Sequence, residues 1–128
     1  MSGFTIVNLR ELDDSVSARV PEIEGRFGRS SLGSEHLGVS LFRYAPGFRA
    51  SGGHHHREQE EAYVVVAGSG RILLDGEPHE LRRWDVVRIS PSVVRAVEAG
   101  ADGIEFIAVG SDRPEGGDGE QVSVEWPD

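Results

Sequence analysis

Short apolar runs, each ended by a glycine or a proline, dominate the middle of the chain. Their length and their β-branched residues predict strands rather than helices. Asp75-Gly76, between two such runs, is the two-residue signal of a type I′ hairpin turn. Short strands separated by turns every roughly eight to twelve residues are typical of an all-β sandwich or barrel. The predicted strands are Leu37–Tyr44, Ala62–Ala67, Arg71–Leu74, Glu77–Leu81, Asp85–Ser90, Val93–Glu98 and Ile104–Val109.

The two ends of the chain carry weaker patterns. Phe4–Leu9 predicts an edge strand or a strand exchanged with a second copy, and Val122–Trp126 predicts a further pairing strand with Trp126 as an apolar anchor. Glu11–Val20 is the best candidate for a helix. A chain of 128 residues is expected to form one domain. We divide it into an N-terminal arm at 1–36, a barrel core at 37–110 and an acidic, glycine-rich tail at 111–128.

The composition excludes several kinds of chemistry. The chain has no cysteine, which rules out disulfides, thiolate nucleophiles and iron–sulfur clusters. All 13 basic residues are arginines, so lysine Schiff bases and Walker-type phosphate loops are excluded as well. Any chemistry must therefore come from His, Asp, Glu, Arg, Tyr or Ser side chains.

The charge balance is acidic. A net charge of −9 argues against nucleic acid as a partner, because phosphates favour a basic surface. The segment 110–128 holds six acids and one arginine, which predicts a solvated or loosely attached tail. The longest apolar run, Ala62–Ala67, has six residues, too few to cross a membrane. Residues 1–4 lack the pattern of a signal peptide, so we expect a cytoplasmic protein.

Three consecutive histidines, followed by several acids, precede one of the predicted strands. In an extended chain His54 and His56 point to one face and His55 to the other. A carboxylate from Glu61 could complete a site with two histidines, one carboxylate and open coordination positions. The alternative is a hydrophilic loop, since His-x-His occurs freely, and spacing alone leaves both readings open. His36 and His79 lie in polar contexts and are expected at the surface.

The stretch around the histidines resembles the first motif of the cupin superfamily. That motif is a glycine followed by His-x-His, four residues, Glu, six residues and Gly. His54, His56, Glu61 and Gly68 match its spacing, and Gly47 lies one residue further away than the usual leading glycine. The resemblance implies that His54, His56 and Glu61 are metal ligands.

The second cupin motif is matched only in part. Asp85 and Pro91 fit it, whereas Trp84 stands where a glycine is usual and Ala99 where the motif closes with Asn. The fourth ligand of the family, a histidine, should fall close to Arg95. Arginine cannot ligate a cation, because its guanidinium stays protonated.

Three roles for Arg95 remain open on the sequence. It could pair with Glu61 and leave a metal-free, salt-bridged core. It could stand beside a three-ligand metal and hold a carboxylate or phosphate of a small ligand in a bidentate manner. It could also reach the mouth of the barrel and be solvated.

The resemblance covers about residues 39–109 and implies a double-stranded β-helix. Cupins carry iron, manganese, nickel, zinc or copper, and some bind no metal, so the identity and occupancy of the ion stay open. Similar small cupins are commonly dimers, sometimes through exchanged terminal strands, so we expect a homodimer here.

Alternation along the strands also predicts the lining of the barrel. If Glu61 faces the interior, Tyr63 follows on the same face. On the preceding strand, either Phe42 and Tyr44 or the alternate pair, Leu41 and Arg43, face inwards, and we favour the aromatic pair. The predicted ligand-binding residues are Arg95, Tyr63, Phe42 and Tyr44.

Two classes of function remain for this chain. The first is a metal-dependent oxygenase, isomerase or lyase that acts on a small, anionic metabolite. The second is a binding or sensing module, with or without metal. Fold does not decide chemistry in a family this varied, and the substrate cannot be inferred from the sequence.

Overall fold

The structure, a computed structural model, describes residues 3–128. Within these residues lie eight strands, one short 3-10 helix at Leu9–Glu11 and one single-turn helix, α1, at Arg29–Leu32. No helix in this part of the chain is long and apolar enough to cross a membrane. The strands are β1 Ile23–Phe27, β2 Gly38–Tyr44, β3 Gly52–His56, β4 Glu61–Leu74, β5 Glu77–Arg82, β6 Val86–Ile89, β7 Arg95–Gly110 and β8 Gly119–Ser123.

Two long strands, β4 and β7, organise the fold. They pair antiparallel along most of their length, from Glu61 opposite Gly110 to Leu74 opposite Arg95. On the other side of β7 lie β2 and β3, which extend the sheet to β1 and β8, while β5 and β6 pair with β4. The predicted all-β fold is confirmed: a curled antiparallel sheet, consistent with a jelly-roll barrel.

Glycines allow β4 and β7 to bend past each other. A Cβ on Gly68, whose φ is +70°, would lie 2.1 Å from the carbonyl oxygen of Gly103, and one on Gly70 would lie 2.1 Å from that of Glu98. The register of the two strands shifts on either side of this point. Only glycine fits so close an approach of two backbones, which gives the last residue of the first motif its structural role.

Trp84 adopts the left-handed conformation, with φ 76°. Glycine takes this region without cost, whereas other residues are strained there. This explains why glycine is usual at this position of the second motif. The indole of Trp84 is exposed, and the guanidinium of Arg83 lies over it, 4.9 Å from the ring centroid.

The main core fills the interior between the two halves of the curled sheet. Its buried members come mostly from β4 and β7, and Phe42, Tyr44 and Val93 pack against it. A smaller core of Ala50, Leu73 and Ala96 lies on the outer side of the same strands. The buried members of the main core are Tyr63, Val65, Ile72, Leu81, Ile89, Val97, Ala99, Ile104, Phe106 and Ala108.

The N-terminal arm differs from the expectation. Residues 4–8 have no regular secondary structure and pair with no strand among residues 3–128, and Leu9 begins the 3-10 helix. Glu11–Val20 is not a helix, because Asp14 accepts hydrogen bonds from the backbone N–H groups of Val16, Ser17 and Gly25 and holds the segment in a turn. Exchange of the arm with a second copy stays a prediction.

The acidic tail is attached to the barrel, contrary to the expectation of a loose segment. Its strand β8 pairs with β3 from Gly52 opposite Ser123 to His56 opposite Gly119. Trp126 then packs on the smaller core, and its indole N–H donates to the carbonyl of Ala50 at 2.8 Å. A pairing strand is therefore present at this end of the chain as predicted, but it begins at Gly119, three residues before Val122.

Charged residues fasten the end of the tail. The guanidinium groups of Arg49 and Arg71 lie 5.0 and 5.4 Å from the ring centroid of Trp126. Both arginines also pair with Glu98 and with Asp128. We call these five residues the C-terminal clasp.

We expect the C-terminal clasp to make stability depend on acid pH through Glu98. Partial burial raises the pKa of Glu98, but hydrogen bonds from Arg71 and Arg49 outweigh burial and leave the pKa below its ordinary value of 4.5. The contribution of a carboxylate with a depressed pKa is complete above that ordinary value and is lost as pH falls through the folded-state pKa. Glu98→Gln should therefore lower the free energy of unfolding by about 1–2 kcal/mol at neutral pH.

Urea titrations of both proteins across the acid range measure this dependence. The difference between wild type and Glu98→Gln should shrink as the pH falls below about 4.5, while Glu125→Gln, at an exposed tail position, should show little difference at any pH. A constant deficit down to the acid-unfolding range would show that the clasp does not act through this charge.

Candidate metal centre

Three predicted ligands meet at one point in the structure. His54 and His56 project from the same face of β3, as strand alternation requires, and Glu61 opens β4 beside them. The Nε2 atom of His56 lies 3.2 Å from Oε1 of Glu61, and Nε2 of His54 lies 3.5 Å from the same oxygen. The three ligand atoms all lie within 4.8 Å of one another.

These separations fit a shared ion. Two ligand atoms, each about 2.1 Å from a metal, lie about 3.0–3.4 Å apart at octahedral or tetrahedral angles. The His–Glu separations of 3.2 and 3.5 Å are close to this range without any rearrangement of the backbone. Two imidazoles and a carboxylate are also a ligand set that suits several transition metals while leaving positions open.

A fourth residue, Asp118, supports His56 from behind. Its Oδ1 atom lies 2.9 Å from Nδ1 of His56, and its Oδ2 accepts the backbone N–H groups of Glu58 and Gln59 at 2.6 and 2.9 Å. The carboxylate is buried. A metal-bound histidine typically donates its second ring nitrogen to such an acceptor, which fixes the ring and its tautomer.

The contact with Asp118 leaves the other ring nitrogen of His56, Nε2, facing Glu61. With the Nδ1 proton donated to Asp118, the Nε2 lone pair of a neutral ring faces the Glu61 carboxylate at 3.2 Å. Two acceptors at that distance repel each other unless a proton or a cation lies between them. In the metal-free chain a proton between the two atoms would remove this repulsion, and the hydrogen bond to Glu61 raises the pKa of His56.

Glu61 is the centre of the cluster. Burial raises the pKa of Glu61, but the hydrogen bonds and charges of His54 and His56 more than offset burial and lower the pKa to about 2. The hydroxyl of Tyr63 lies 3.5 Å from the same oxygen, Oε1. Burial raises the pKa of Tyr63 well above its ordinary value, so the phenol stays protonated and can donate.

Arg95 lies in the wall of the same site. It is 1% exposed, so a solvated arginine at the mouth of the barrel is wrong. Its Nη2 lies 3.6 Å from Oε1 of Glu61, and its Nη1 donates to the carbonyls of Pro91 and Val93 at 3.3 and 2.9 Å. The Nε and Nη2 atoms are buried and have no hydrogen-bond partner among the described residues. The ion pair with Glu61 is therefore incomplete, and the arginine retains unused donors.

A cavity of about 760 Å³ adjoins the cluster. Much of its apolar wall is formed by Phe42, Tyr44, Tyr63 and Phe106. The ring of Phe106 is stacked on Phe42 at 5.4 Å between centroids and tilted against Tyr63 at 4.9 Å. Of the two alternatives for β2, the aromatic pair lines the cavity. Burial raises the pKa of Tyr44 to about 12, so this phenol is also a neutral donor.

The remaining histidines lie apart from the cluster. His55 points to the opposite face of β3, where its Nε2 is 3.3 Å from Glu120. His36 is exposed and contacts Asp112 at 2.9 Å, and the exposed His79 lies near Glu77. The position of His55 agrees with strand alternation, and His36 and His79 lie at the surface as their polar contexts predicted.

Comparisons with a family model and with solved structures agree on one protein family. Residues 40–110 match the family model described as the cupin domain. A search of the curated proteins finds no match. Among solved structures, a cupin protein from Bacteroides fragilis is 25% identical over 88% of this chain and 86% of its own, with a TM-score of 0.72.

Two further structural neighbours have described activities. A sugar phosphate isomerase of the cupin superfamily from Silicibacter pomeroyi is 23% identical, covering 86% of this chain and 77% of that one, with a TM-score of 0.70. A variant of oxalate decarboxylase from B. subtilis is 20% identical over 92% of this chain, with a TM-score of 0.75. The match covers 33% of the decarboxylase, and at these identities both neighbours show the fold alone.

Proposed function

This chain belongs to the cupin family, and from that premise we propose that it binds a divalent metal ion and a small, anionic metabolite at one site. His54, His56 and Glu61 would hold the ion, and Arg95 would hold an anionic group of the metabolite. The observation that carries this proposal is the convergence of two imidazole nitrogens, Nε2 of His54 and Nε2 of His56, on one oxygen of Glu61 at 3.5 and 3.2 Å, with Asp118 beside the other ring nitrogen of His56.

The side chains around the ion would bind and orient the ligand. Arg95 offers two buried nitrogens, Nε and Nη2, whose N–H groups have no partners among the described residues, and such donors gain most from a charged acceptor. Tyr63 can donate its hydroxyl proton to a ligand oxygen in place of its long contact with Glu61. The apolar wall formed by Phe42, Tyr44 and Phe106 excludes water from the rest of the cavity.

A bound divalent ion would supply Lewis acidity toward a ligand oxygen. The chain's own residues would then determine which oxygen reaches that position. Two histidines and one carboxylate suit iron, manganese, nickel, zinc or copper, and availability decides among them.

A metal-free binding protein is the second candidate. The observation in its favour is that Arg95, almost wholly buried, lies 3.6 Å from Glu61 and already compensates its charge. In that case the cavity would bind a ligand through Arg95 and the aromatic wall alone. The two candidates differ in a single measurable property, the metal content of the purified protein.

Elemental analysis of protein made without a histidine tag distinguishes the candidates. We expect close to one equivalent of a divalent transition metal in wild type and loss of that metal in His56→Ala, because a direct ligand is removed. His55→Ala is the matched control, since it removes a histidine from the opposite face of the same strand and should retain the metal. Metal absent from wild type, even after incubation with manganese or zinc, would favour the metal-free candidate.

A further inference from the structure

The cavity has a charge opposite to that of the whole chain. Three arginines (Arg29, Arg95 and Arg113) line it, against the carboxylates of Glu61 and Asp118, whereas the chain as a whole carries −9. Both carboxylates are engaged, Glu61 with the two histidines and Asp118 with His56 and two backbone N–H groups. A bound divalent ion would increase the positive excess further.

Arg29 lies over a row of residues that leads to the metal cluster. Gly38, Gly110 and Glu61 are direct neighbours across β2, β7 and β4, and direct neighbours in antiparallel strands face the same side. The Nη2 atom of Arg29 would be 2.6 Å from a Cβ on Gly38 and 3.5 Å from one on Gly110. The guanidinium of Arg29 thus fills the room left by Gly38, and the side-chain amide of Gln59, 2.1 Å from a Cβ on Gly110, fills the room beside it. Since strands are about 4.8 Å apart, Arg29 lies roughly 5–10 Å from Glu61.

Arg29 keeps unused donors in this position. Among residues 3–128, its side chain makes one hydrogen bond, from Nη2 to the carbonyl of Ser111 at 2.7 Å, and no ion pair. Burial lowers the pKa of Arg29, and the neighbouring charge of Arg113 lowers it further, although Asp112 acts in the opposite sense. The two guanidinium groups therefore repel each other across this part of the cavity, a cost that an anion between them would remove.

Arg113 lies at the rim of the same cavity. Its Nη1 would be 3.4 Å from a Cβ on Gly117, whose φ of +86° belongs to the turn that leads to Asp118. Within the described part of the chain, six arginines have no carboxylate within ion-pair distance. Four of them are exposed and lie outside the cavity (Arg19, Arg43, Arg82 and Arg83), whereas Arg29 and Arg113 line it.

We propose that Arg29 and Arg113 form a second anion subsite, so that the natural ligand carries two acidic groups separated by a short chain. One group would reach Arg95 and the metal position, and the other would lie between Arg29 and Arg113. The site would thereby select dicarboxylates or phosphorylated acids over monoacids of the same size. This inference rests on the proposed function, because it takes the cluster end of the cavity as the first binding position.

Isothermal titration of the tag-free protein with matched pairs of acids tests the subsite. The pairs are succinate, glutarate and adipate, each against the monocarboxylate of the same carbon number, and phosphoglycolate against glycolate for a phosphate as the second group. We expect at least one diacid to bind about tenfold more tightly than its partner in wild type, as one charged hydrogen bond would provide. That preference should fall to within about twofold in Arg29→Gln and in Arg113→Gln.

Arg83→Gln is the matched control, since it removes an exposed arginine outside the cavity and should keep the preference. The absence of any diacid preference in wild type, or its survival in the double variant of Arg29 and Arg113, would overturn the inference. If Arg29→Gln proves unstable by thermal melting, the exposed Arg113 decides the outcome. Metal content measured on the same samples tests the proposed function separately. It should be unchanged in the arginine variants, because neither arginine contacts His54, His56 or Glu61 in the structure.

Discussion

Replacing Glu61 with glutamine is expected to remove bound metal and to lower the free energy of unfolding by about 3–5 kcal/mol. The metal is lost because the only carboxylate of the three-residue ligand group becomes a neutral amide. The stability falls because Arg95, at 1% exposure, is left without the anion 3.6 Å away that compensates it. Urea unfolding in the presence of a chelator, which removes metal from both proteins, measures the loss of stability without the contribution of metal binding.

A second substitution identifies the source of this instability. Arg95→Met in the Glu61→Gln background removes the uncompensated charge and fills its volume, and such replacement of a buried ion pair is often neutral or stabilising. The double variant should therefore recover most of the lost stability. Glu60→Gln, next to Glu61 but on the surface with Arg88, should change stability by less than about 1 kcal/mol. A double variant as unstable as Glu61→Gln alone would contradict the pairing of Glu61 with Arg95.

Replacing Asp118 with alanine is expected to weaken metal binding about 10–100-fold, although this residue would not touch the ion. The substitution removes the acceptor that holds Nδ1 of His56, so the ring loses its fixed orientation and tautomer. It also leaves the buried N–H groups of Glu58 and Gln59 without partners, which should lower the free energy of unfolding by about 3 kcal/mol. Competition with a chromophoric chelator gives the affinity, and urea unfolding gives the stability.

A positioning role for Asp118 has its own spectroscopic signature. Long-range nitrogen–proton NMR spectra report which ring nitrogen of His56 carries the proton, and in wild type saturated with zinc this should be Nδ1. Asp118→Asn keeps one acceptor oxygen and should recover part of the stability and part of the affinity. Asp112→Ala removes an exposed acid of the same tail and is the control. An unchanged metal affinity in Asp118→Ala would mean that the contact only fastens the tail.

The local patterns of the sequence predicted the barrel because they are set by neighbouring residues. The Asp75-Gly76 turn is present with positive φ at both residues, and Leu74 pairs with Glu77 across it. Alternation along β3 separated His54 and His56 from His55. Each of these inferences depends on side-chain period or turn chemistry within a few residues, and no long-range contact can override them cheaply.

The predictions failed where the chain is held by distant partners. Strand β1, Ile23–Phe27, was missed because Gly25 interrupts its pattern and its partner β2 supplies most of its pairing. Val93–Glu98 and Ile104–Val109 were predicted as separate strands, but β7 runs through Gly100 because β4 pairs with both parts. A glycine that permits a bend and a glycine that ends a strand cannot be distinguished without the neighbouring strand.

The contact between Asp118 and His56 also could not be predicted from short stretches of the sequence. The residue lies 62 positions after His56, in a segment whose acids and glycines are typical of solvated chain. A weak signal did exist, since Gly116-Gly117 followed by a mixed segment ending in Trp126 permits a turn and a final strand. The burial of a single carboxylate among six tail acids depends on where His56 lies in three dimensions.

The distance between Asp118 and His56 along the chain also determines when the site can form during synthesis. At about 5–20 residues per second, a ribosome adds the 62 residues between them in roughly 3–12 seconds. During that interval His54, His56 and Glu61 can already exist, but β3 has no β8 beside it and the ring of His56 has no fixed tautomer. A metal that needs this complete site would therefore bind only after β8 has paired with β3, unlike the metal of a zinc finger, which drives the folding of its own domain.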